Sequence, residues 1–232
     1  MENCNGCEGC PAFKKSFLSD LSGLQIKNLK DNAIALSFRK GQDITIRDTT
    51  SQGVFCIHSG TVKNYLKTPQ GENITLSLRT TGDMFGHQEL MGHENIFSSG
   101  CLTDVGVCFF PKKMILKKLE RTPALSKKIM AGLNADLAEM GSYLLALSYK
   151  SIRQRTAQAI LYLQEKTGNN TDGTIALQLP RQELANMVGA SRESVHRELA
   201  FFKKKKWIDL KGQHFLIIDE ERIRKQSAHN SE

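Results

Sequence analysis

The sequence predicts an α+β protein made of three consecutive parts. Short apolar runs punctuated by glycine between about 33 and 110 predict a compact antiparallel sandwich. A long amphipathic stretch from Pro123 predicts a single extended helix. Two short helical segments followed by two strands, over about 180–218, predict a helix-turn-helix with a wing. With 232 residues, 40% hydrophobic and 24% charged, the chain can build one large core or two ordinary ones.

The first element is a cysteine-rich loop over residues 1–18. Cys4, Cys7 and Cys10 stand two residues apart, with Gly6 and Gly9 between them and Pro11 behind. Such gaps let one loop wrap three thiolates around a single iron–sulfur cluster, while the glycines let the backbone turn inward. Three clustered cysteines and a distant fourth suit tetrahedral zinc as well, and a thiol–disulfide switch is a third option. The other three cysteines are Cys56, Cys101 and Cys108; an isolated cysteine is ordinarily a small buried hydrophobe. The N-terminus carries no apolar signal core, and no apolar run is long enough to cross a bilayer, so a reducing cytosol is the expectation.

Ser19 is a suitable N-cap for a short helix carrying Leu21, Leu24 and Leu29. Gly41-Gln42, Ser59-Gly60, Gln70-Gly71 and Thr81-Gly82-Asp83 then recur at intervals suited to hairpins. Between them run apolar strands such as Gly53–Ile57 and Asp104–Phe109. Beyond Pro123, residues Ile129, Leu133, Met140, Leu144 and Leu147 share one stripe, which predicts pairing with a second copy in a parallel homodimer. A helix from Ser151 to Lys166 follows, then a turn-rich break at Thr167–Gly173. Ile175, Leu177 and Leu179 alternate with Ala176 and Gln178, as a short strand would.

Pro180 opens a helix over Arg181–Met187, Val188-Gly189-Ala190 makes a turn, and Ser191 caps a second helix to about Lys205. Val195, Leu199 and Phe202 predict its buried face. Arg192, Glu193, His196 and Arg197 lie opposite, near the end that a recognition helix inserts into the major groove. Arginine forks onto guanine O6 and N7, and glutamate accepts from cytosine N4. A wing follows, from Trp207–Leu210 through Lys211-Gly212-Gln213 to Phe215–Ile218. Arg192 to Lys211 holds seven basic residues against three acidic ones, and the whole chain carries +8. Double-stranded DNA is the implied partner, with Ser191, Lys203 and Lys211 among the groups near phosphate.

The whole chain resembles the Crp/Fnr superfamily of bacterial transcription regulators. The carrying motifs are Ser59-Gly60-Thr61-Val62-Lys63, Thr81–Gly86 and Gly189-Ala190-Ser191-Arg192-Glu193-Ser194-Val195-His196-Arg197. The resemblance implies a cyclic-nucleotide-binding-like β-roll sensor domain over 19–122, a dimerisation helix over 123–148 and a winged helix-turn-helix over 149–232. Glu193 and Arg197 match family base-contacting positions, Arg192 matches the arginine of cyclic-AMP-type readers, and His196 departs from the serine or glycine common there. A palindromic site with guanine-containing half-sites, contact with RNA polymerase and an activator role are implied by the resemblance alone.

Cyclic-nucleotide members hold the phosphate with an Arg-Ser pair, but here the stretch reads Asn95-Ile96-Phe97-Ser98-Ser99-Gly100. A buried phosphate without that cation loses its charge-assisted fork. Glu89 resembles the acidic residue that meets the ribose. The N-terminal loop instead resembles the oxygen-sensing Fnr branch, which implies a 4Fe–4S cluster responding to oxygen or nitric oxide on Cys4, Cys7, Cys10 and a distal cysteine. Cys108 matches that distal position, and alternation along the strand turns it away from Val105 and Val107. Cys101 shares the valine parity, and Cys56 sits within an apolar strand. The spacing between Cys7 and Cys10 is shorter than in the best-known Fnr proteins. The alternative is a regulator of the same type with another effector, either haem-borne nitric oxide, for which His58, His87 and His93 would serve as ligands, or a small organic ligand in the roll. No nucleophile–base constellation or phosphate loop argues for an enzyme.

Overall fold

The computed structural model describes residues 10, 12–16, 18–19, 29, 32–92 and 94–228. The predicted helix with Leu21 and Leu24, together with Cys4, Cys7 and His93, lies outside the described residues. The chain divides into two compact units, Met1–Leu66 with Ser77–Glu139, and Lys67–Leu76 with Met140–Glu232. The division falls inside the long helix.

Eight strands build the first sandwich: β1 (Ile34–Phe38), β2 (Asp43–Thr45), β3 (Gly53–Ser59), β4 (Val62–Lys67), β5 (Asn73–Arg79), β6 (Met84–Phe85), β7 (Ser98–Cys101) and β8 (Val105–Pro111). They form two four-stranded sheets, ordered β1-β8-β3-β6 and β2-β7-β4-β5. Strands β3 and β8 pair antiparallel at the centre of the first sheet and are buried on both faces, which is why their sequences read as unbroken apolar runs.

The two faces of these strands serve different cores. Phe55, Ile57, Val105 and Val107 meet Val62 and Cys101 of the opposite sheet, with Phe55 stacked on Phe85 at 4.8 Å. Val54, Cys56, Cys108 and Phe110 face the other way, onto Leu18, Leu29, Ile115, Leu125 and Ile129. Period-two alternation therefore assigns each cysteine to one core or the other.

Helix α1 (Lys112–Leu119) leads into α2 (Pro123–Tyr149). The first turns of α2 bury Leu125 and Ile129 in the core beneath β3 and β8. Ile129 thus departs from the expected dimer stripe: it is consumed by the core of its own unit. Further along, Asp136 is buried in an ionic cluster with Arg79, His87 and Gln88. Burial opposes its charge, but bonding to His87 and the nearby Arg79 outweigh that and hold the carboxyl below its usual range.

The second unit holds α3 (Ile152–Thr167), α4 (Arg181–Val188), α5 (Arg192–Lys204), β9 (Ile208–Lys211), β10 (His214–Ile217) and α6 (Glu220–Ser227). A reciprocal capping box between Ser151 and Gln154 starts α3. The strand expected at Ile175–Leu179 is not regular. The three apolar side chains are buried, but only Ile175 makes a ladder bridge, to Asn169. Ile175 N and Leu179 N donate to Phe215 O and Gln213 O, so the segment lies along β10 without a continuous ladder.

Candidate thiol pocket and nucleic-acid interface

Short hydrogen bonds fold the segment that follows the N-terminal cysteines. Phe13 N donates to Cys10 O at 2.9 Å, Ser16 Oγ donates to Phe13 O at 2.8 Å, and Leu18 N donates to Ser16 Oγ at 3.2 Å. This turn carries Cys10 to the helix-facing side of the first sheet. Cys10, Ala12, Phe13, Ser16, Leu18, Cys56, His58, Cys108 and Phe110 line one pocket there. Its described lining holds three thiols, one imidazole and no carboxylate, but among the described residues no three such side chains come together closely enough to hold a metal ion by themselves.

Of the four expected ligands, Cys10 and Cys108 are brought together in this pocket. Cys101 lies in the other core, between the sheets. Burial, with Asp43 and Asp104 adding to it, pushes the Cys101 thiol up to about 11, which opposes the thiolate that a metal needs. Cys56, which sequence reasoning left as one residue of an apolar strand, faces the pocket. The signal that could have found it is its two-residue offset from Val54, which places both on one face. Gly106 leaves room for His58: a Cβ there would fall 2.2 Å from His58 Nε2. Of the other histidines considered for haem, His87 is buried with Nε2 3.0 Å from Asp136 and is committed to that contact.

The groups that the resemblance aligns with a nucleotide-phosphate site are engaged internally. Phe97 is buried, Arg47 N donates to Ser98 Oγ at 3.0 Å, and Ser99 Oγ donates to Asn64 Oδ1 at 2.9 Å. Ile96 N donates to Glu89 Oε1 at 3.1 Å, and burial nevertheless pushes the Glu89 carboxyl up.

In the second unit, α5 buries Val195, Leu199 and Phe202 and exposes Glu193, His196 and Arg197, as its spacing predicts, while Arg192, three residues before Val195 on the same stripe, is exposed as the first residue of the helix. Ser191 Oγ accepts from Ser194 N at 3.2 Å and so serves as the N-cap. Gly189 closes α4 in the left-handed region, at φ 65°. A Cβ at Gly189 would lie 2.9 Å from Leu147 and 3.2 Å from the Tyr143 hydroxyl, so the turn is packed against the end of α2.

Two arginines that periodicity could not single out hold this turn and the reading helix. Arg155 Nε donates to Val188 O at 2.9 Å, and its guanidinium reaches Lys150 O and Gly189 O as well. Arg153 Nε donates to Glu198 at 2.6 Å and stacks over Phe201. The wing pairs Lys211 with His214 across a Gly212-Gln213 turn. Lys203 pairs with Asp209 at 2.9 Å, and Lys211 with Asp172 at 3.4 Å. Both pairs are half exposed, so a phosphate can compete for each lysine.

Along α2 the large exposed apolar residues are Met130, Leu133, Leu137, Leu144, Leu145, Leu147 and Tyr149. With half-buried Met140, the series Met130-Leu133-Leu137-Met140-Leu144-Leu147 keeps gaps of three and four throughout, the pattern of a coiled-coil seam. Sequence reasoning missed Met130 and Leu137 because it began the stripe one residue early, at Ile129. No described helix is long and apolar enough to cross a membrane.

Two family models match the chain: a cyclic nucleotide-binding domain over residues 35–122 and a Crp-like helix-turn-helix domain over residues 154–226. Over 195 residues it is 27% identical to a CRP-like cAMP-activated global transcriptional regulator of Mycobacterium tuberculosis, covering 83% of this chain and 87% of that one. It is 23% identical over 228 residues to the fumarate and nitrate reduction regulatory protein of Escherichia coli, covering 96% and 90% respectively. Among solved structures, FixK2 from Bradyrhizobium japonicum superposes with a TM-score of 0.78 at 20% identity, over 86% of this chain and 99% of the other.

Proposed function

The chain belongs to the Crp/Fnr family of DNA-binding transcription regulators, and on that footing we propose that it is a homodimer that reads palindromic DNA according to the state of a 4Fe–4S cluster. The family is one of regulators and not of enzymes.

The observation that carries the effector reading is the meeting of Cys10 and Cys108 in one pocket, on the face of β8 turned away from Val105 and Val107. Cys10 and Cys108 would hold the cluster together with Cys4 and Cys7. When bound, such a group supplies iron–sulfur bonds labile to oxygen and nitric oxide. The engagement of Ser98, Ser99 and Phe97 within the roll argues for this reading over an anionic nucleotide.

The residues around the pocket indicate how its state reaches the rest of the unit. Leu18 from the N-terminal segment shares a core with Cys108, Ile115, Leu125 and Ile129, the last two at the root of α2. Tethering Cys10 to Cys108 fixes that segment in the core, and releasing it loosens the packing under α2. Moving a two-state equilibrium from mostly off to mostly on requires about 5.5 kcal/mol. The seam from Met130 to Leu147 offers a second copy a parallel partner, and two copies of α5 then face half-sites one DNA turn apart. Arg192, Glu193, His196 and Arg197 read base edges, while the lysines beyond them meet phosphate. Contact with RNA polymerase belongs to the same proposal and rests on family resemblance.

Purification without air, followed by iron and acid-labile sulfide assays, tests the effector. The wild type and Cys101→Ala are expected to hold both elements, and Cys108→Ala to lose them. Operator affinity should fall when the wild type is exposed to air. Colourless anaerobic protein, zinc in place of iron, or sulfide lost only in Cys101→Ala would overturn the assignment.

A further inference from the structure

The cluster reading leaves Cys56 without a task. Cys56 and Cys108 are register partners across the antiparallel pair β3 and β8. Both side chains belong to the helix-facing core, and both line the pocket that Cys10 enters. The row across the sheet runs Ala35, Cys108, Cys56, Met84, so the two thiols sit side by side at its centre. Directly opposed residues of antiparallel strands have Cα atoms about 4.5–5.5 Å apart, within the roughly 4.4–6.8 Å that a disulfide spans. Cys101, in the other core, cannot reach either partner.

We propose that Cys56 and Cys108 form a cross-strand redox pair, which hydrogen peroxide converts to a disulfide when no metal occupies the pocket. One thiol sulfur attacks a peroxide oxygen; the O–O bond breaks, a sulfenic acid forms and one water leaves. The second thiol sulfur then attacks the sulfenic sulfur; the S–O bond breaks, the S–S bond forms and a second water leaves. The two thiols lose two electrons and two hydrogens, and one peroxide becomes two waters. In the disulfide Cys108 has no thiolate to offer a metal, so the pair would block cluster assembly until a thiol reductant reopened it. That consequence rests on the cluster reading; the pairing itself does not.

The test uses full-length protein, stripped of metal, reduced, and then treated with hydrogen peroxide. After alkylation under denaturing conditions, peptide mass spectrometry should show the Cys56 and Cys108 peptides joined, lighter by two hydrogens than the separate pair, and Cys101 alkylated. In Cys56→Ala, peroxide should leave no cross-link to Cys108 from within β3. A Cys10–Cys108 link in the wild type, or Cys56 and Cys108 both alkylated after peroxide, overturns the proposal. Should the wild type hold no iron or sulfide, the cluster reading fails while the cross-link result stands, so the two failures are told apart.

Discussion

Arg153 Nε lies 2.6 Å from a carboxylate oxygen of Glu198, and this contact pins the recognition helix α5 to α3. Glu198 is buried on α5, whereas Arg153 is 41% exposed on α3. Arg153 also covers the Phe201 ring, so one guanidinium meets two residues of α5. Glu198→Ala should lower the stability of the DNA-binding unit by about 1–2 kcal/mol, the value of a charged hydrogen bond discounted for the exposed arginine. Thermal unfolding with the wild type in parallel checks this, and an unchanged midpoint would refute it.

The turn between α4 and α5 strains any side chain placed at Gly189. Left-handed backbone costs an L-residue roughly 1–2 kcal/mol, and the added methyl would also press on Leu147 and Tyr143. Gly189→Ala should therefore destabilise the unit by at least about 1 kcal/mol and weaken operator binding. Denaturant titration and a DNA-binding isotherm read the two effects separately.

The exposed edge of α5 and its lysine-rich end should behave differently on DNA. Arg192→Ala and Arg197→Ala should each cost about 1–3 kcal/mol on the cognate site and relax base preference. Lys204→Ala, at a residue exposed in the last turn, should weaken cognate and scrambled DNA alike and reduce the salt slope by about 1. Titrations at several salt concentrations on both sequences discriminate the roles.

Leu137 and Leu144 are 68% and 64% exposed in the single chain, so charge there leaves each unit's own core intact. Leu137→Glu and Leu144→Glu should shift the protein from dimer to monomer while its thermal unfolding stays cooperative. Ile129→Glu should instead unfold the sensor unit, because that side chain is buried with Leu125 and Ile115. Sedimentation velocity and circular dichroism together separate the outcomes.

Asp172 closes the Asn170–Thr174 turn beside the wing. Hydrogen bonds from the Thr174 side chain and backbone, with Lys211 adding to them, hold its carboxyl down at about 2. A depressed folded-state value contributes stability above the unfolded pKa, near 4, and that contribution is lost as pH falls towards about 2. Asp172→Asn should flatten the stability profile over that window by lowering stability at neutral pH, while leaving the low-pH end little changed. Unfolding midpoints measured from pH 6 to about 2 provide the check.

Much of the candidate site was legible because it depends on short-range periodicity. A strand's two-residue alternation separates Cys108 from Val107 without any knowledge of the fold, and the structure places them in different cores. The recognition helix was equally readable, since a four-and-three spacing of Val195, Leu199 and Phe202 forces Glu193, His196 and Arg197 outward. Where periodicity misled, a neighbour intervened. Ile129 fits a dimer stripe by spacing, but the core beneath β3 and β8 takes it. Ile175, Leu177 and Leu179 alternate like a strand, yet their backbone makes too few bonds to β10 for a ladder.

By itself, the sequence determined the order of parts, the alternation that turns Cys108 away from Val105 and Val107, and the face that α5 presents, because these follow from residue spacing along one element. Only the tertiary structure decided which thiols meet, which turn of α2 is spent on its own core, and which arginines hold the reading helix. Those relations join residues far apart in the chain, such as Cys10 with Cys108 and Arg153 with Glu198, and no local pattern encodes a distance between two elements.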